Sequence, residues 1–153
     1  MTGDDSKGLR VYLDTNVVIR GMERTDASAG EVGRLTELAE HGKLALVTSE
    51  LTLSEVLVGP LKLGDDLLEK AYLDMLTQDP IFELRPITRE VLIESSRIRA
   101  RSSAILPDSL HVATAALAGC RFIVSYDRRL GGLSNLDVIE PSAEIFAELD
   151  KEP

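Results

Sequence analysis

Short apolar runs of strand length alternate along this chain with longer segments of helical period, and that alternation is what most restricts its fold. Five runs read as strands: RVYLD at residues 10–14, KLALVTS, FELRPI, RFIVS and DVIEP. Helices read between them. TNVVIRGM is a turn into a short helix. EVGRLTELAEHG sets Val32, Leu35, Leu38 and Ala39 at helical spacing and stops at Gly42. ELTLSEVLVGP reads as a short helix closed by Gly59 and Pro60. Residues 65–78 form an amphipathic helix with Leu67, Leu68, Ala71, Met75 and Leu76 on one face, and Asp65 and Asp66 suit its N-terminus. A helix opens at Thr88, and another opens with Pro107 in its first turn and stops at Gly119. SAEIFAEL closes the chain. Strands alternating with helices imply an α/β domain: a central, mostly parallel sheet of about five strands, flanked by helices on both faces.

The 153 residues suit one such domain, expected over residues 10–150, with residues 1–9 a flexible lead-in. No internal repeat or linker divides it. Aromatics are 4% and Trp is absent, so the core must be Leu, Val, Ile and Ala. No apolar run approaches the roughly 20 residues that span a bilayer, and MTGDDSKGLR lacks the apolar segment of a secretory signal. A cytoplasmic protein with no membrane association is expected. The single cysteine, Cys120, cannot form an internal disulfide and reads as a small buried hydrophobe.

The net charge is −9, from 26 acidic and 17 basic residues. A surface that binds phosphates directly is normally basic. Either nucleic acid is not the ligand, or acids are gathered to hold a cation.

The positions of the acids bear on that choice. Ligands of open parallel sheets bind outside the carboxyl ends of the strands. Asp14 ends the first strand, Glu55 lies on the helix after the second, Asp108 opens the helix before the fourth, and Asp127 follows that strand. Each alone has an ordinary explanation. Asp14 suits an Asx-turn, Glu55 a solvated helix position, Asp108 a first-turn acid, and Asp127 a turn or a partner of Arg128 or Arg129. Four acids from four distant segments, all at one sheet edge, are harder to explain separately. Clustered carboxylates repel unless a cation neutralises them. Mg²⁺ and Mn²⁺ take hard oxygen ligands and bridge carboxylates to phosphate oxygens.

Three segments, VYLDTNVVI, TSELTLSEVLVG and LPDSLHVATAALAGCRFIVSYDRRL, together resemble the PIN-domain family, especially the toxins of VapBC toxin–antitoxin pairs. The resemblance runs from Val11 to Pro141. It implies a PIN fold, Mg²⁺ or Mn²⁺, endoribonuclease activity on RNA, a small cognate antitoxin and a homodimer. The family's acidic set falls on Asp14, Glu55, Asp108 and Asp127, with Asp14, Asp108 and Asp127 as metal ligands. Asn16 and Ser125 match supporting polar positions. Glu50, at a helix start, ranks below Glu55.

His111 follows Asp108 by three residues on the same helix face; it either touches substrate or is packed and satisfied. Arg128 and Arg129 are candidates to meet phosphates. Arg97, Arg99 and Arg101, spaced by two, cannot share one helix face. His41, before Gly42, suits a helix end. No P-loop, GxGxxG, CxxC or Ser/His/Asp set is present. An aspartyl-nucleophile phosphatase needs a second acid two residues after the first, and position 16 is Asn. The remaining rival is a PIN-like RNA-binding or protein-interaction module without catalysis.

Overall fold

The computed structural model describes residues 8–149. Five strands, β1 (Leu9–Leu13), β2 (Leu44–Ser49), β3 (Phe82–Arg85), β4 (Phe122–Val124) and β5 (Asp137–Ile139), form one sheet in the order β3-β2-β1-β4-β5. Every neighbouring pair is parallel. The helices among the described residues are α1 (Thr15–Glu23), α2 (Ala27–Glu40), α3 (Glu50–Leu63), α4 (Asp66–Gln78), α5 (Arg89–Ala100), α6 (Leu106–Leu117) and α7 (Ala143–Leu149), with a 3-10 turn at Arg128–Leu130. This is the α/β architecture expected, and the sheet is wholly parallel.

Alternating side chains build two cores. Val11, Leu13, Leu46, Phe122 and Val124 pack on one face with residues of α1, α2, α4 and α7, among them Val17, Leu35, Leu76 and Ile145. Tyr12, Val47 and Ile123 pack on the other with Val91 and Ile98 of α5 and Val112 and Ala115 of α6. Strands covered on both faces need apolar residues at consecutive positions, which is why the runs are continuous. Cys120 is buried, and burial pushes its thiol up to about 12.

Some boundaries differ from expectation. The sheet starts at Leu9, which pairs with Leu44; residues 1–7 of the expected lead-in lie outside the described residues. Gly59 and Pro60 do not close α3. The helix continues to Leu63, and Gly64, at φ +63°, ends it. Pro60 forfeits only its own N–H bond and is buried, while its carbonyl accepts from Asp65 N–H at 2.9 Å. In α4 the buried residues are Tyr72 and Leu76, and Leu67 is 84% exposed. Leu67 stands nine residues before Leu76, half a turn out of phase at 3.6 residues per turn. No helix is long and apolar enough to cross a membrane among the described residues.

The chain winds from β1 outward to β3, then returns to place β4 against the other side of β1. The crevice at such a reversal, beyond the carboxyl ends of the two strands, is where open α/β sheets bind ligands.

Candidate active site

Asp14 stands at that crevice. Its backbone N–H extends the sheet pairing by one bond, to the Val124 carbonyl at 3.0 Å. It is also the N-cap of α1, with Oδ1 accepting from Thr15 N–H at 2.9 Å. Both roles follow from position: the first residue past a strand, with a short acceptor side chain, suits a helix that begins at once.

Ser125, the first residue after β4, is fully buried. Its hydroxyl donates to Asp14 Oδ2 at 2.7 Å. It accepts the Asp127 N–H at 2.9 Å and the Asn16 side-chain amide at 3.3 Å. Asn16 Oδ1 accepts in turn from Tyr126 N–H at 3.3 Å. The two supporting polar positions therefore meet each other and tie the Asp14 turn to the Asp127 loop.

Asp127 caps the 3-10 turn through Arg129 N–H at 3.0 Å. The Arg129 guanidinium also reaches it, with Nη2 2.9 Å from Oδ2. These bonds hold Asp127 below the usual carboxylate range. Asp108, in the first turn of α6, is half-buried and has no ion pair of its own among the described residues, though the charge of Arg129 reaches it. Burial first, then the charges of Asp127 and Asp14, raise its carboxyl. Ser125 bonds both the Asp14 carboxylate and the Asp127 backbone, and the charges of both acids reach Asp108.

Glu55 joins them from α3. Its Oε1 takes His111 Nε2 at 2.7 Å and the Thr15 hydroxyl at 2.9 Å. The His111 bond first, with help from Thr15, holds Glu55 below the usual range against the effect of burial. His111 Nε2 is 3.7 Å from Asp14 Oδ1. At 2% exposure His111 is packed behind the acids.

Other candidates lie apart. Arg128 is exposed and reaches Glu140 at 3.5 Å. Arg97 pairs with Glu94 and Arg101 with the Leu133 carbonyl; Arg99 is exposed. Glu50 is exposed at the start of α3. His41 caps α2, with Nδ1 2.8 Å from the Glu37 carbonyl oxygen. The sequence reading missed Thr15, Tyr12 and the buried threonines behind them. The Tyr12 hydroxyl is 2.6 Å from His111 Nδ1, and Thr52 and Thr48 hydrogen-bond at 2.7 Å beneath Thr15. A tyrosine inside an aliphatic strand was the available signal, because a buried phenol needs a partner.

Among the described residues no three His, Cys, Asp or Glu side chains stand close enough to enclose one ion. A small hard cation does not require that, since Mg²⁺ keeps several waters and takes one or two carboxylates. The donors here are carboxylate oxygens only. Asp14, Asp108 and Asp127 offer such oxygens on one side of the crevice, with Ser125 holding two of the three turns, so the residues fit such an ion.

A family model for the PIN domain matches residues 11–137. The chain belongs to the PIN domain family. Solved structures share the fold of this PIN domain. A toxin–antitoxin complex from Klebsiella pneumoniae is 21% identical with TM-score 0.64, over 86% of this chain and 98% of that one. VapBC2 from Rickettsia felis, bound to a promoter DNA fragment, is 17% identical with TM-score 0.68, over the same shares. The sarcin–ricin loop cleaving toxin VapC20 from Mycobacterium tuberculosis is 14% identical with TM-score 0.63, over 78% of this PIN domain and 92% of that chain. No curated protein sequence matches significantly.

Proposed function

We propose that this PIN domain is a metal-dependent endoribonuclease that hydrolyses RNA phosphodiester bonds, and that it is the toxin of a toxin–antitoxin pair. The observation that carries the reading is the convergence of four acids from four segments on the crevice between β1 and β4. One of them, Asp108, feels the charge of two others. Asp14, Asp108 and Asp127 would hold Mg²⁺ or Mn²⁺, which when bound neutralises charge on the phosphodiester and activates water. Glu55, anchored beside them through one oxygen by His111 and Thr15, would take a proton from the attacking water through the other. Asn16 and Ser125 keep the Asp14 and Asp127 turns in register. Arg129, 83% exposed, is able to leave Asp127 for a phosphate, and exposed Arg128 lies on the same turn. An acidic chain thus meets RNA through a cation and a few arginines rather than through a basic face.

Incubating the purified protein with total RNA, with and without Mg²⁺, tests this: discrete Mg²⁺-dependent products are expected. RNA retained on the protein but uncut with either Mg²⁺ or Mn²⁺ would favour the non-catalytic module. The toxin reading draws support from solved relatives that are toxin–antitoxin complexes. The acidic crevice would attract an Arg or Lys of a helical, apolar antitoxin. Expression of this chain alone should arrest growth, and co-expression of the adjacent small gene should restore it.

A homodimer is part of the proposal. Val58, Leu61, Leu63 and Leu67 leave an apolar surface at the end of α3 and start of α4, with Leu63 82% exposed. Light scattering at micromolar concentration should give twice the chain mass, and Leu63→Ser with Leu67→Ser should reduce it to the monomer.

A further inference from the structure

We propose that His111 is a positioning residue, its ring held by Tyr12 so that Nε2 holds Glu55 for hydrolysis. The inference rests on the role given to Glu55 above.

The hydrogen-bond directions follow from donor counting. Glu55 is ionised, and a carboxylate only accepts, so at 2.7 Å the hydrogen must sit on His111 Nε2. The Tyr12 hydroxyl is fully buried and lies 2.6 Å from His111 Nδ1, with Thr48 also against it. That contact at the far nitrogen holds the ring and turns Nε2 toward Glu55.

The result is directional. His111 and Thr15 both give their hydrogens to Oε1 of Glu55. Among the described residues nothing is bonded to Oε2, and the side chain is 36% exposed. One oxygen is anchored and the other is left to accept a proton. Tyr12 sits on β1, Thr15 on α1, Glu55 on α3 and His111 on α6, so one imidazole registers four elements.

Two kinds of measurement test this. In the metal-free protein, long-range ¹⁵N–¹H spectra of the His111 ring should show a hydrogen on Nε2 that exchanges slowly with solvent. A ring without hydrogen on Nε2 would overturn the proposal. Tyr12→Phe, which keeps the shape of the core, should loosen the ring and speed that exchange. In cleavage assays His111→Leu should lower kcat by about 10–100-fold, the usual effect of losing a supporting partner, with KM for RNA unchanged. His111→Gln, which keeps an N–H donor toward Glu55, should recover most of that loss. Should His111→Leu fail to fold, Tyr12→Phe and His111→Gln carry the comparison. A wild type that cleaves RNA beside a folded His111→Leu or Tyr12→Phe of equal kcat would sink this proposal and leave the nuclease reading intact. A wild type that cleaves nothing would remove the nuclease reading. The Glu55 ¹³C carboxyl line then decides the positioning: broadening in His111→Gln and Tyr12→Phe supports it, and an unchanged line overturns it.

Discussion

The Ser125 hydroxyl donates to Asp14 Oδ2 at 2.7 Å, joining residues 111 apart in the chain. The same buried oxygen accepts from the Asp127 N–H, so one small side chain holds two of the four acids. Ser125→Ala should leave both groups short of a partner and cost about 1–3 kcal/mol of stability. RNA cleavage should fall with it. Urea unfolding of both proteins, read at equal m-value, measures the first effect; a loss below about 0.5 kcal/mol would contradict it.

Asp14→Asn separates chemistry from folding. The amide oxygen still accepts the Thr15 N–H that caps α1, so the domain should fold. The lost charge should reduce RNA cleavage by orders of magnitude. Mg²⁺ should raise the melting temperature of wild type, because a ligand of the folded state stabilises it, and should raise that of the variant less. Without metal, relief of repulsion with Asp108 should offset much of the cost of the Ser125 bond, which the amide nitrogen cannot accept, and leave the variant close to wild type in stability.

Asp108 and Glu55 should respond to acid in opposite directions. The raised carboxyl of Asp108 favours the protonated form in the folded state. Its stabilising contribution is full below the ordinary value of 3.8 and is lost as pH rises through the raised value. The lowered carboxyl of Glu55 contributes above its ordinary 4.5, and that is lost as pH falls through the lowered value. In metal-free protein at neutral pH, Asp108→Asn should therefore melt above wild type and Glu55→Gln below it. Melting curves taken from neutral to acid pH should show both gaps closing; a gap that widened in acid would be the wrong sign.

The two glycines near the end of α3 should behave oppositely. Gly59 lies inside the helix, and a methyl group there meets nothing within 4 Å, so Gly59→Ala should stabilise by about 0.5–1 kcal/mol. Gly64 sits at φ +63°, and Gly64→Ala should destabilise by about 1–2 kcal/mol. Thermal melts of the pair report directly on where the helix ends.

The sheet was legible because strands buried on both faces leave continuous apolar runs, and helix ends were legible where Gly42 and Gly119 mark them at positive φ. Gly59 with Pro60 misled because tertiary packing buries Pro60 within a helix that a local rule ends there. Asp14, Asp108 and Asp127 stand at element boundaries, where local pattern speaks. Their supports do not. The bond from Tyr12 to His111 crosses 99 residues, and no spacing rule links a strand tyrosine to a histidine on a distant helix. Asp127 could be read either as a turn residue with an arginine partner or as a site acid; the turn cap and the Arg129 pairing are both present, and spacing alone does not separate them from a place in the site.

The place of β4 in the sheet also sets a schedule for synthesis. β1 emerges from the ribosome first, yet its neighbour on one side, β4, comes more than a hundred residues later. At roughly 5–20 residues per second, that edge waits on the order of ten seconds for its partner. Ser125 and Asp127 arrive with β4. Until then the nascent chain carries Asp14 and Glu55 without the residues that complete the crevice, so the four acids can meet only after β4 has emerged.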